Sequence, residues 1–116
     1  MELSPNPGTE ALLVMTTAES PDQALSIAQG LVQQRLAACV QLLPGVRSIY
    51  RWQDKMEEKN EHLLLIKSHQ QLFHSIQDVI NELHPYDTPE VLSIKIDNGL
   101  PAYLSWLEDS LDPAEG

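Results

Sequence analysis

Two long strand patterns run back to back in the middle of this chain, and they narrow the folds open to it. Ala37 to Leu43 is apolar. After Pro44-Gly45 the pattern alternates, with Val46, Ser48, Tyr50 and Trp52 on one face and Arg47, Ile49 and Arg51 on the other. Asp54-Lys55 reads as the hairpin tip, because Asp tolerates left-handed backbone better than most residues. The return strand runs from Met56 to Lys67, and a two-residue loop at that tip sets Arg51 opposite Glu58. Each strand spans roughly twelve residues or more, where about five or six is usual. Pro44-Gly45 must be a bulge or a bend, since neither residue suits a continuous strand.

The flanks repeat one order of elements. Ala11 to Thr17 is a short apolar run, the pattern of a strand buried on both faces. Ser20-Pro21-Asp22-Gln23 then opens a helix, with Ser20 as cap and Gln23 completing a capping box. Its apolar positions Ala24, Ile27, Ala28 and Leu31 recur at helical spacing as far as Arg35 or Leu36. After the hairpin, Ser68 to Gln71 repeats the capping-box spacing. Leu72, Ile76, Val79 and Leu83 form the stripe of an amphipathic helix, with Phe73 and Ile80 beside it.

Leu92, Ile94 and Ile96 alternate with polar residues as a half-buried strand, Asp97-Asn98-Gly99 turns, and Pro101 opens a short last helix. The order strand, helix, strand, strand, helix, strand predicts an α+β, ferredoxin-like βαββαβ sandwich with a long β-hairpin and a short C-terminal helix. One domain is expected over residues 11–111, with loose tails at 1–10 and 112–116. Two helices cannot cover strands this long. The uncovered sheet and its open edges predict a closed homo-oligomer.

Charge and cysteine usage exclude several functions. Acidic residues outnumber basic ones 17 to 7, a formal charge of −10. That argues against nucleic acid or an anionic membrane as partner. Cys39 is the only cysteine, so no internal disulfide forms and a reducing, cytoplasmic compartment is expected. Met1-Glu2-Leu3-Ser4-Pro5 lacks the basic and apolar regions of a secretory signal. No Walker loop, Rossmann glycine pattern, nucleophile elbow or His-Glu-x-x-His helix occurs.

Titratable chemistry is densest at His84-Pro85-Tyr86-Asp87-Thr88-Pro89-Glu90. Pro85 disfavours helix at His84 and makes this a stiff helix-to-strand connector. His84 reads as a metal ligand or general base, or as a polar helix-end residue complementing the dipole. Tyr86 and Glu90 read as its partners in a cleft, or as interface packing and a surface carboxylate. Asp87 reads as a local turn stabiliser. Cys39 reads as a small core hydrophobe before a soft-metal ligand. Lys67 closes its strand facing either water or an anion. Tyr50, Arg51 and Trp52 crowd the hairpin end with the residue types enriched at interfaces, so subunit packing is expected there.

Three motifs together resemble the CutA family of divalent-cation tolerance proteins: Arg35-Leu36-Ala37-Ala38-Cys39-Val40, Pro44-Gly45-Val46-Arg47-Ser48-Ile49-Tyr50-Arg51-Trp52, and the 84–90 segment. Thr17-Ala18 and Tyr103-Leu104-Ser105-Trp106-Leu107 add to the resemblance, which runs from about residue 11 to 111. The resemblance implies a homotrimer whose long hairpins reach neighbouring subunits. It implies a role in tolerance of divalent cations, copper especially, by binding or scaffolding rather than catalysis. It places Cys39, Lys67, Tyr86 and Glu90 around an inter-subunit pocket.

Copper positions of bacterial members fall here on Thr16, Leu83 and His84, so His84 alone keeps a ligand of that set. The cofactor it implies is copper or another divalent cation, and an unidentified protein partner is also compatible. Two other functions fit the same residues. One is a trimer resembling PII signalling proteins, binding a small anionic ligand against Lys67. The other is an enzyme using the His84, Tyr86 and Glu90 cleft.

Overall fold

A computed structural model describes residues 10–112 of the chain. Of the tails expected at 1–10 and 112–116, residues 1–9 and 113–116 lie outside the described residues. Both flanking residues are tied to the body. The Gln70 amide donates to the Glu10 carbonyl at 2.8 Å, and the Asp112 amide donates to the Arg35 carbonyl at 2.9 Å.

The elements follow the expected order: β1 (Ala11–Ala18), α1 (Pro21–Gln33), β2 (Cys39–Trp52), β3 (Lys55–His69), a 3₁₀ turn (Gln70–Leu72), α2 (Phe73–Leu83), β4 (Leu92–Lys95) and α3 (Pro101–Asp109). The four strands form one antiparallel sheet in the order β2-β3-β1-β4. Each β-α-β crossover therefore straddles a strand of the other. β1 and β2 flank β3, and β3 and β4 flank β1.

The alternation of β1 and β3 decides where the core lies. Val14, Thr16, Ala18, Leu64 and Ile66 are buried, together with Ile27 and Leu31 of α1 and Ile76 and Ile80 of α2. The opposite sheet face is not covered by α1 or α2, and α3 meets it at its Ala11 and His69 end. It carries Leu13, Met15, Leu63 and Leu65, with Leu92 and Ile94 of β4 in register beside them. Leu92 and Ile94 are 54% and 52% exposed. The half-buried strand expected there is thus an exposed edge in the single chain.

Both ends of α1 are specified locally. The Ser20 hydroxyl accepts the Gln23 amide, and the Gln23 side chain accepts the Glu19 amide. At the far end Arg35 has φ of 60°. The Leu36 amide reaches back to Leu31 and the Arg35 amide to Val32, a Schellman closure with arginine where glycine is usual. From that position the Arg35 guanidinium donates to the Ser110 and Asp109 carbonyls at the end of α3.

Three expectations are corrected here. Gln53 and Asp54 both have positive φ, 50° and 64°, so they form the tip, one residue earlier than Asp54-Lys55. Arg51 is therefore opposite Met56, and Glu58 is opposite Ile49 and pairs diagonally with Arg47. A tip moved by one residue shifts the register by two, so the faces stay as expected. Ser68 is no helix cap; it ends β3, and its buried hydroxyl donates to the Leu36 carbonyl at 2.6 Å. His69 caps instead, its Nδ1 accepting the Gln71 amide. Leu83 is 42% exposed, leaving Leu72, Ile76 and Ile80 as the buried stripe.

Pro44-Gly45 forms the expected bulge, with the pairing shifting between Leu43 and Val46. Gly45 takes φ of 77°, which glycine adopts without penalty. The extra residue keeps Leu43 and Val46 on one face. Beyond β1, whose last pair is Ala18 with His62, residues 46–61 project as a two-stranded arm. The arm gives the molecule its 55 Å long axis against 28 and 24 Å.

Candidate functional site

The described residues converge chemically at the base of this arm, where the 84–90 connector crosses it. α2 stops at Leu83 because His84 is extended, with φ −87° and ψ 135°, the conformation a following proline favours. The His84 ring turns back into the body and is buried. Its Nδ1 accepts the Tyr86 amide at 3.2 Å. That bond leaves Nε2 as the protonated nitrogen, which donates to the Thr17 carbonyl at 2.7 Å.

This turn sets Tyr86 beside its own anchor, with ring centroids 4.4 Å apart. The Tyr86 hydroxyl donates to Glu61 Oε2 at 3.1 Å, and the Ser48 hydroxyl donates to Glu61 Oε1 at 2.6 Å. Glu61 is buried, at 6% exposure. Lys59 lies two residues away on the same face. Its Nζ donates to the Tyr86 oxygen at 3.4 Å and sits 4.8 Å from the ring centroid. Burial pushes the Tyr86 phenol up from its ordinary value; the Lys59 bond opposes that and Glu61 reinforces it. Lys59 is pushed up chiefly by its bond to Tyr86.

The residues expected to share a pocket do not all meet within one chain. Cys39 is directly opposite Lys67, and Lys67 Nζ donates to Gln41 Oε1 at 2.9 Å. Glu61 and its partner Tyr86 lie six residues along β3 from Lys67, about 20 Å at strand spacing. Glu90 is exposed. Tyr50, Arg51 and Trp52 lie at the end of the arm, Tyr50 37% and Trp52 58% exposed.

Sequence reasoning missed Ser48, Lys59 and Glu61. The signal for Glu61 was present: a carboxylate on the face that carries Leu63 and Leu65 two and four residues later.

The copper positions do not fit that metal. Leu83 has no donor atom, and both His84 ring nitrogens are engaged. The Thr16 hydroxyl is fully buried without a hydrogen-bond partner. Among the described residues, no group of three or more His, Cys, Asp or Glu side chains is placed to hold a metal ion.

A second cleft, of about 620 Å³, lies at the opposite end of the sheet. There His69 Nε2 is 3.1 Å from Glu108 and 3.8 Å from Glu10, which joins α3 to the ends of β1 and β3. Among the described residues, no helix is long and apolar enough to cross a membrane.

Comparison with known proteins gives a consistent set of relatives. A family model described as CutA1 divalent ion tolerance protein matches residues 12–110. The chain is 42% identical over 98 residues to the divalent-cation tolerance protein CutA of Thermus thermophilus, covering 84% of this chain and 95% of that protein. The crystal structure of CutA1 from Oryza sativa superimposes with a TM-score of 0.89 at 31% identity, covering 91% of this chain and 97% of that one. A structure described as the periplasmic divalent cation tolerance protein CutA of Archaeoglobus fulgidus matches with a TM-score of 0.85 at 30% identity, covering 88% and 99%.

Proposed function

The chain belongs to the CutA1 divalent ion tolerance family, and on that premise we propose that it serves divalent-cation tolerance as a homotrimeric, ferredoxin-like binding or scaffolding protein. The observation that carries the reading is the sheet face that α1 and α2 leave uncovered, bearing Leu13, Met15, Leu63, Leu65, Leu92 and Ile94. A contiguous apolar face of this kind is a site of association. β2 and β4 are both open edges, so copies close a ring by covering one another's faces and edges. The number three rests on the family resemblance.

Assembly also accounts for the scattered pocket residues. Cys39 and Lys67 sit about 20 Å along the strand from Glu61, the residue that holds Tyr86, in one copy, and a neighbouring copy supplies the missing half, with Glu90 at its rim. The reaction class is binding, since the relatives carry names of tolerance proteins. With Cys39 the sole cysteine, the compartment we assign is the cytoplasm.

One observation favours a second reading, a regulatory trimer for a small anionic metabolite. Where the pocket is expected, Lys67 bonds the neutral Gln41 and forms no ion pair among the described residues.

Light scattering across micromolar concentrations tests the assembly, and a monomer throughout would sink it. Calorimetric titration with copper, zinc and nucleotides separates the two readings. A saturable nucleotide heat abolished by Lys67→Ala supports the metabolite; a copper heat abolished by His84→Ala would restore His84 as a ligand.

A further inference from the structure

Glu61 is a buried carboxylate whose described partners are both neutral hydroxyls, those of Ser48 and Tyr86. Among the described residues, no cationic side chain forms an ion pair with it. Its near neighbour Lys59 is spent on the Tyr86 oxygen and ring. A buried carboxylate is ordinarily matched by a cation, because desolvation is offset only by a close opposite charge. Each Glu61 oxygen keeps a second lone pair for such a partner.

The candidate donors are few. Of the 7 basic residues, Arg35 holds α3, Arg47 pairs with Glu58, Lys59 holds Tyr86 and Lys67 bonds Gln41. Arg51, Lys55 and Lys95 make no such contact among the described residues. Lys95 lies on β4, whereas Arg51 and Lys55 are at the far end of the projecting arm. Arg51 cannot reach Glu61 in its own chain. It pairs with Met56, five residues short of Glu61 and on the opposite face, a gap of about 17 Å along the strand.

We propose that Arg51 of one copy enters the Glu61–Tyr86 site of a neighbouring copy and forms the ion pair that Glu61 does not make within its own chain. The planar guanidinium fork suits a carboxylate that already accepts two hydroxyls. This rests on the assembly proposed above and adds what that reading leaves open: which arm residue meets which base residue. It also gives a cyclic assembly a direction, since each copy donates an arm and receives one.

Subunit exchange between two fluorescently labelled pools of the full chain tests the pairing. Arg51→Gln and Glu61→Gln each remove charge; the first is at an exposed position near the tip, and the second keeps the shape and one oxygen acceptor, its NH2 leaving the facing hydroxyl to turn and accept. Each is expected to speed exchange by about tenfold or more, as for close charge pairs across interfaces. The double variant is expected to exchange no faster than the faster single, while Glu82→Gln, which removes an exposed charge on α2, stays within about twofold of wild type. Exchange by Arg51→Gln at the wild-type rate, or fully additive losses, overturns the pairing while the assembly stands. A wild-type chain that is monomeric at micromolar concentration removes the assembly itself, and the pairing with it.

Discussion

His84 Nε2 lies 2.7 Å from the carbonyl oxygen of Thr17, a residue 67 positions earlier in the chain. Thr17 is near the end of β1, where the strand has run out of β4 partners, since the β1–β4 ladder ends at Met15 with Leu92. The imidazole binds a carbonyl that a fourth strand does not reach, while Nδ1 organises the Tyr86 turn. One buried ring therefore ties the connector to the sheet.

Replacing this residue by alanine removes both hydrogen bonds and leaves buried backbone groups unsatisfied. His84→Ala is expected to destabilise the chain by about 1–3 kcal/mol. Urea unfolding at matched protein concentration measures it. A loss within about 0.5 kcal/mol, the range of an ordinary surface change, would remove the structural role.

The Tyr86–Lys59 pair predicts how stability responds to alkali. Tyr86 is pushed up from 10.0 and Lys59 from 10.5. A group with a raised folded pKa stabilises the fold fully below its unfolded pKa, and that contribution is lost as pH rises through the folded value. Tyr86 and Lys59 act in the same direction here, so urea midpoints are expected to hold to about pH 9.5 and fall from about pH 10. Tyr86→Phe cannot ionise, and its midpoint should fall less steeply over that window. Parallel slopes for the two chains would dissociate Tyr86 from the alkaline loss.

Much of this architecture was legible because hydrophobic periodicity reports burial directly. Val14 and Leu64 mark one sheet face, and Ile76 and Ile80 mark the helix that covers it. Pro44-Gly45 announced a bulge because neither residue sits easily in a ladder. What was not legible had no periodic signature. Arg35, Gln53 and Asp54 take left-handed backbone without glycine, so the tip could be misplaced by one residue. Ser68 satisfies a capping spacing, yet its hydroxyl finds the Leu36 carbonyl across the fold. Glu61 becomes a site residue only because Tyr86 folds onto it from 25 positions away.

The tip itself offers a stabilising substitution. Gln53 and Asp54, both at positive φ, form the two central residues of a hairpin turn that Asn-Gly fits best. Asp54→Gly relieves the strain of a side chain at φ 64° and is expected to add about 1 kcal/mol. Chemical denaturation reads the change. A neutral or negative effect would show that Asp54 makes contacts offsetting its backbone strain.

Thr16 should respond to substitution in two opposite directions. It lies on the helix-covered sheet face opposite Leu64, fully buried, and its hydroxyl has no hydrogen-bond partner among the described residues. An unpaired buried hydroxyl is destabilising by about 1–3 kcal/mol relative to an apolar group of the same shape. Thr16→Val exchanges the hydroxyl for a methyl at nearly constant volume and keeps the β-branch that suits a strand. It is expected to raise stability by about 1 kcal/mol. Thr16→Ser keeps the orphaned hydroxyl and deletes the methyl, which should cost about 1 kcal/mol in lost packing. Opposite shifts in the two urea midpoints establish the hydroxyl as the unfavourable group. A valine variant less stable than wild type would mean that the hydroxyl is satisfied in solution, by a buried water bonded to it.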